Sequence, residues 1–320
     1  MLLDRHKLRE EAHRSLSNAP HARRVVLIHT GAILLFSLLL MLADYLLDRQ
    51  ISTTGGLRGM DNRAILCTIQ MMLRLIQLIL LPFWQIGYIY YALQVAKGDS
   101  TGAGDLMEGF RRFAPVLRLK LLLTAISLAA MLISAYASCF VFLMSPLAKP
   151  LLEFLEAVPG DTIDEAVIME ALKTVPTQNF VPAIAFFVMS LLAGLLFLFY
   201  RYRMAEMWLM NRPEGGAWAA LRNSGKGMKG NFKAILKIDL SFWWFYLLEV
   251  LVTVIGYGDV ILGAFGMELS TDAFTTYFLF FMLYLLLQLA LYWWKRNEVA
   301  VTYAHAYCAL FPQEDTKSQQ

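Results

Sequence analysis

Charge is scarce in this 320-residue chain, and so are cysteine and every residue pattern that specifies a reaction. Lys, Arg, Asp and Glu make up 17% of it and apolar residues 58%, against about 25% charged in an ordinary soluble chain. That balance and a mean hydropathy of +0.53 exclude a soluble globular fold. Three cysteines, Cys67, Cys139 and Cys308, are too few for a disulfide framework or a metal cage. No Ser elbow, zincin motif or carboxylate pair at catalytic spacing is present, so no enzyme and no cofactor are expected. Gly225, Gly227 and Gly230 spell a dinucleotide fingerprint, but no strand precedes them. A Walker loop fails too, because Ala220 and Gly227 stand where Gly and Ser/Thr belong. His6, Glu10 and His13 share a helix face, as do His305 and Cys308, and both groups read as solvated faces that lack further ligands.

What the chain has in abundance is long apolar stretches. Six of them, 25–47, 64–96, 117–144, 180–210, 234–257 and 273–294, each exceed the roughly 20 residues a helix needs to cross a bilayer. The fold class is therefore all-α, a polytopic membrane bundle of six transmembrane helices with interfacial amphipathic helices. The few charges are sorted by side. With the N-terminus cytoplasmic, the outer loops hold only Arg49, Arg58, Arg63, Lys149 and Lys173, and Arg74 lies within the second span. All other Lys and Arg residues fall in the inner segments. Positive-inside bias thus predicts a multi-pass protein of the cell membrane, N-in and C-in. Tyr88, Tyr90, Tyr91, Tyr200, Tyr202, Trp208, Trp243, Trp244, Trp293 and Trp294 gather toward the same inner ends, as interfacial aromatics should. Glu153, Glu156, Asp161, Asp164, Glu165 and Glu170 crowd one outer loop, so the net charge of +3 carries no nucleic-acid footprint. Cys67 and Cys139 both fall in outer halves of spans, where one bridge is conceivable, although free Cys in apolar surroundings behaves as a small hydrophobe.

The first apolar run is 23 residues long with no cleavage site after it, too long for a signal peptide core. Residues 1–24 place Leu8, Ala12 and Leu16 at helical spacing and read as an amphipathic segment on the inner membrane face. Asp161 to Lys173 reads as a further amphipathic helix, and 295–320 as a cytoplasmic tail. With no linker or composition shift, residues 1–320 read as one membrane domain. A weak parallel repeat shows in the second and fourth spans. Each is followed by a segment with Gly and Phe (Gly102 to Phe113, Gly215 to Phe232) and a basic run (Arg118 to Lys120, Lys233 to Lys237) that leads into the next span.

Leu8-Arg9-Glu10-Glu11-Ala12-His13-Arg14-Ser15-Leu16, and above all Ala220 to Phe232 running on to Asp239-Leu240-Ser241-Phe242-Trp243-Trp244, resemble an uncharacterised family of bacterial integral membrane proteins, a domain of unknown function common in Gram-positive bacteria. The resemblance covers nearly the whole chain and departs at Gly256-Tyr257-Gly258-Asp259, where the family carries Pro-Tyr. It implies about six membrane helices and no known activity.

Two groups of residues stand out. Gln70, Arg74, Gln77, Gln85 and Tyr88 fall within about 80° of one another on a helical wheel, a polar stripe in the second span that Pro82 interrupts. An Arg in a span costs roughly 3 kcal/mol and calls for a partner. Glu249 is the favoured one, because Arg74 lies about 15 Å and Glu249 about 12 Å from the outer ends of their spans. Asp44 competes. Such a cluster either locks helices together or, in a small carrier or pore, lines a path of Gln70, Arg74, Gln77 and Glu249. The second group is Arg222, Lys226, Lys229 and Lys233, a basic stripe beside Trp218, Leu221, Met228 and Phe232 that would contact anionic lipid headgroups or a membrane protein partner, with Gly225, Gly227 and Gly230 able to open the helix. Asp239 and Glu206 read as interfacial ion pairs with Arg201, Arg203 and Lys237. Gln288 reads as interhelical glue, and Ser127, Ala130, Ser134 and Ser138 as a close-packing face. The favoured function is a non-enzymatic accessory or lipid-interacting membrane protein.

Overall fold

Every regular element in the computed structural model, which describes residues 4–53, 57–157, 167, 173, 175–264 and 273–312, is helical. Five helices are long and apolar enough to cross a membrane, or six if one bent pair counts as a span. The chain packs as two compact units, Met1–Leu117 with Met204–Gln320, and Arg118–Arg203.

The first unit opens with α1 (Arg5–Ser17), whose first turn is capped by the Asp4 carboxylate accepting from the His6 amide at 3.0 Å. After a turn over Asn18 to Pro20 come the long helices α2 (Ala22–Thr53) and α3 (Leu57–Lys97), an antiparallel pair. Gly98, at φ +78°, ends α3 in the left-handed conformation that a helix C-terminus favours. The chain then folds back on α3 through a 3₁₀ turn (Ala103–Met107) and the one-turn α4 (Glu108–Arg111). Two glycines permit this approach. A Cβ on Gly87 would stand 1.9 Å from the Leu106 carbonyl oxygen, and one on Gly109 would stand 2.1 Å from that of Phe83. Helix α5 (Phe113–Met144) leaves the unit after Phe113 stacks on Phe83 at 4.5 Å.

The unit resumes with α8 (Ala205–Asn211), α9 (Gly216–Met228), α10 (Phe232–Ser241), α11 (Trp243–Gly256), α12 (Gly258–Ala264), α13 (Ala273–Leu291), a π-helical turn (Tyr292–Arg296) and α14 (Asn297–Leu310). Helix α14 packs on α1 and α3, and α13 on α11. The core gathers at one end, around Ile86 to Val95 of α3, Met204 to Met210, and Val299 to Tyr307 of α14. That end is called the packed end below.

Two expectations are refined. The segment 234–257 is bent, with α10 meeting α11 at 62°, and makes a sixth span only if the pair counts as one broken span. Phe242 at the break is buried under the Arg9 guanidinium, 4.8 Å from its ring, and α10 is amphipathic, burying Ile235 and Ile238 while Lys233, Lys237 and Leu240 face out. At 14 residues, α11 alone reaches about 21 Å, short of the roughly 30 Å hydrocarbon core. Secondly, α1 does not present its apolar face to lipid, since Leu8 and Ala12 are covered by α14, α10 and α3. The connections after the second and fourth spans share one order, a 3₁₀ turn (Ala103–Met107, Pro213–Gly215) followed by a helix, the single turn of α4 in one and the 13-residue α9 in the other.

The second unit holds most of α5, the short α6 (Lys149–Ala157) and α7 (Thr177–Tyr202). Its core is Phe142, Ala148, Leu151 and Val175, with Phe142 stacked on Phe180 at 5.1 Å. Ser138 donates to the Ala183 carbonyl at 2.6 Å, so the small-residue face of α5 does bring a neighbour close. Apart from Val167 and Lys173, the helix expected over Asp161 to Lys173 lies outside the described residues. Cys67, Cys139 and Cys308 are free thiols.

Candidate functional site

Arg74 pairs with Asp44, Nη2 to Oδ2 at 3.3 Å, and not with Glu249. Asp44 stands 19 residues along α2 from Val25, about 29 Å at the helical rise, which is roughly the full thickness of the hydrocarbon core. The pair therefore lies far from the packed end of the α2/α3 hairpin, and the Arg74 side chain is 67% exposed. Helix α3 is 41 residues long, more than one crossing needs. Cys67, Gln70, Met71, Arg74, Leu75 and Leu78 line a recess of about 460 Å³ beside it, all from α3 alone, so the recess is a surface feature of one helix. Gln77 is half-buried and Gln85 is exposed. Glu249 accepts a hydrogen bond from the Tyr292 hydroxyl at 2.5 Å, and neither it nor Gln77 is among the residues that line this recess.

Arg222, Lys226, Lys229 and Lys233 are all exposed on α9, α10 and the turn between them. Trp218 is 68% exposed and Phe232 45%, whereas Leu221 and Met228 point into the core. The glycines do not open this segment into a loop. Gly225 and Gly227 lie inside α9, and a Cβ on Gly227 would strike the Phe311 ring at 2.3 Å. Gly230 alone, at φ +86°, makes the turn. Ser224 accepts from the Met204 amide at 3.2 Å, and the Asn231 amide donates to the Gly227 carbonyl at 2.8 Å. Much of the run from Ala220 to Phe232 is thus explained by local folding.

Sequence reasoning missed a third group, a layer of polar side chains buried at the packed end. His29, in the first span, is 0% exposed, and neither ring nitrogen has a hydrogen-bond partner among the described residues. Its ring lies 4.5 Å from that of Tyr88 and 6.1 Å from that of Trp84, whose Nε1 donates to the His29 carbonyl. Thr30 beside it is equally buried, with Oγ1 unpartnered among the described residues. Tyr88 donates to Asn297 Oδ1 at 2.7 Å, and Asn297 Nδ2 donates to the Ala22 carbonyl at 2.8 Å. The Arg296 guanidinium covers two rings, Tyr292 at 4.0 Å and Tyr88 at 5.2 Å. These residues meet where α13 loosens into a π turn, a distortion common at functional positions. The available signal was His29 itself, an ionisable residue inside an apolar run.

Around this layer the remaining charges are paired. Glu298 accepts from Lys295 at 2.6 Å and from Arg9 at 2.8 Å. Lys97 donates to Asn211 at 2.5 Å, and Asn211 to the Tyr307 hydroxyl at 3.1 Å. Arg112 bonds Glu108 and the Met210 carbonyl. Asp239 accepts from Tyr303 and Tyr246, and His305 bonds Ser15 at 3.0 Å, with Glu11 at 3.8 Å. Gln288 is buried on α13 with Oε1 unpartnered among the described residues.

The model of a family described as "Protein of unknown function (DUF975)" matches residues 7–297, nearly the whole chain. The chain belongs to that family. No curated protein and no solved structure matches it.

Proposed function

We propose that this member of the DUF975 family is a non-enzymatic accessory protein of a bacterial cell membrane, both termini cytoplasmic, that engages anionic lipid headgroups through its packed end. The observation that carries this reading is the exposed stripe of Arg222, Lys226, Lys229 and Lys233 beside the exposed rings of Trp218 and Phe232. Each basic residue near an anionic surface adds about 1 kcal/mol of attraction. An exposed Trp beside the charges suits the headgroup level, where amphipathic rings settle. The same end carries α1 and α14, so the charge bias that places Lys and Arg in the cytoplasm also turns this face toward the anionic leaflet.

The test is lipid retention. The protein is reconstituted in vesicles of mixed phosphatidylglycerol and phosphatidylcholine, extracted gently and weighed intact. Wild type should carry phosphatidylglycerol in excess over its share of the vesicle. The variant Arg222→Gln, Lys226→Gln, Lys229→Gln, Lys233→Gln should show no enrichment. Equal enrichment in both, or no enrichment in wild type, defeats the reading.

A further inference from the structure

One cation at the packed end is held in place without a counter-charge. Arg296 is fixed by stacking on Tyr292 and Tyr88, at 4.0 and 5.2 Å. The nearby carboxylates are committed elsewhere: Glu298 to Lys295 and Arg9, Glu249 to the Tyr292 hydroxyl. Among the described residues no carboxylate pairs with Arg296, although the side chain is half-buried. A guanidinium has five donors in a planar fork, and a partly desolvated one is stable only when acceptors meet them.

A second observation comes from beside the Tyr88 ring. His29 is fully buried with both ring nitrogens unpartnered among the described residues, and such a group costs free energy until it is hydrogen-bonded. Arg296 meets the Tyr88 hydroxyl but has no counter-charge, and His29 beside the same tyrosine has no hydrogen-bond partner among the described residues. The level in the membrane is marked as well. Trp244 and Trp294 pack at 5.2 Å, and Trp293 and Trp294 are exposed on the π turn, an aromatic belt at headgroup depth.

We propose that Arg296, stacked between Tyr88 and Tyr292 and backed by His29, binds one phosphate group, either the phosphodiester of a membrane phospholipid or free inorganic phosphate. Phosphate suits the site because its oxygens accept in the bidentate geometry that the guanidinium fork presents. The tyrosines hold the fork rigid, so little side-chain freedom is lost on binding. The site differs from the basic stripe in kind. The stripe attracts a leaflet by summed charge, whereas Arg296 takes a single ligand at a fixed stoichiometry, and neither depends on the other.

Protein stripped of lipid in neutral detergent is titrated separately with phosphatidylglycerol, phosphatidylcholine and inorganic phosphate, and followed by native mass spectrometry and thermal unfolding. Wild type should retain one phosphate-bearing ligand, and Arg296→Gln should weaken it by about tenfold or more, the weight of one charged hydrogen-bonded contact. Arg296→Lys should fall between the two, because an ammonium keeps the charge and loses the fork. The quadruple stripe variant should bind it as wild type does. Phospholipid retention with no response to inorganic phosphate assigns the headgroup, and a rise in Tm with inorganic phosphate that Arg296→Gln abolishes assigns the free anion. The proposal is overturned if neither ligand binds, if Arg296→Gln binds equally, or if only the stripe variant loses the ligand. Should Arg296→Gln not fold, Arg296→Lys decides alone, and wild-type affinity in that variant overturns the site.

Discussion

The two halves of helix α3 live in different solvents. From Ile86 to Val95 several side chains are essentially inaccessible, Tyr91 and Leu93 at 0%, whereas Leu78 is 70% exposed and Met71 62%. Helix α2 divides less sharply, with Val26 buried and Leu39 at 56%, but with Ile28 at 49% and Met41 at 7%. In the packed half, side chains meet other helices, hydrogen bonds close the polar groups and glycines permit backbone contact. In the open half of unit 1, apolar residues with few protein neighbours need hydrocarbon around them, and it costs them nothing because lipid tails are as apolar as Leu. The contrast teaches that the tertiary fold of this unit is specified by less than half of each long helix. The other half is specified by hydropathy alone.

The largest expected effect tests that division at a backbone contact. Gly87→Leu should cost more than about 3 kcal/mol or abolish the folded state, because even the first side-chain carbon meets the Leu106 carbonyl oxygen, an atom that cannot rotate away. Gly31→Ala, on α2 with nothing within 4 Å of the new carbon, should leave stability unchanged or raise it by up to about 1 kcal/mol. Thermal unfolding in detergent distinguishes them, and equal losses would mean that the approach of the 3₁₀ turn (Ala103–Met107) to α3 is not part of the folded unit. Next comes Leu8→Ala on α1, expected to cost about 2–3 kcal/mol since Leu8 is enclosed by α14, α10 and α3. If α1 lay on the membrane face as its amphipathic pattern suggests, the same change would be almost silent.

A smaller loss is expected from Arg9→Ala. It removes the 2.8 Å bond to Glu298 and the cation over Phe242 at the α10/α11 bend, yet Glu298 keeps Lys295. About 1 kcal/mol is the expected cost, one net hydrogen bond with a charged partner partly compensated. Unfolding of Arg9→Ala, Glu298→Gln and the double variant checks this. A double loss equal to the sum of the singles would show that the two residues do not interact.

The all-helical class and five of the long apolar helices could be read from hydropathy, because a run of more than 20 apolar residues has few other fates. The break at Phe242 could not. Nothing in Ser241-Phe242-Trp243 breaks a helix locally, and the bend is set by the burial of Phe242 under Arg9, more than 230 positions away in sequence. The Arg222 to Lys233 stripe was legible because exposed charges on a helix show their spacing directly. The layer of His29, Tyr88, Tyr292 and Arg296 was not, since its members come from three segments whose meeting depends on how α2, α3 and the π turn pack.

Arg74 shows most sharply what separates the two halves, and its substitution carries the smallest expected effect. Read along the chain, an Arg ten residues into an apolar run seems to demand a buried partner, and Arg74→Leu should then unfold the bundle. Read against α2, Arg74 is level with Asp44, far from the packed end, and its ion pair is open to its surroundings. An exposed pair contributes about 0–1 kcal/mol. Arg74→Leu should therefore shift unfolding by no more than about 0.5 kcal/mol in detergent, and Asp44→Asn should do the same. A loss of 2 kcal/mol or more from Arg74→Leu would place the pair inside a closed protein interface, and the open half would then be a surface covered by protein in the membrane. A silent substitution keeps lipid and headgroups as its neighbours, and leaves Arg296 at the packed end as the arginine whose surroundings are built to hold a ligand.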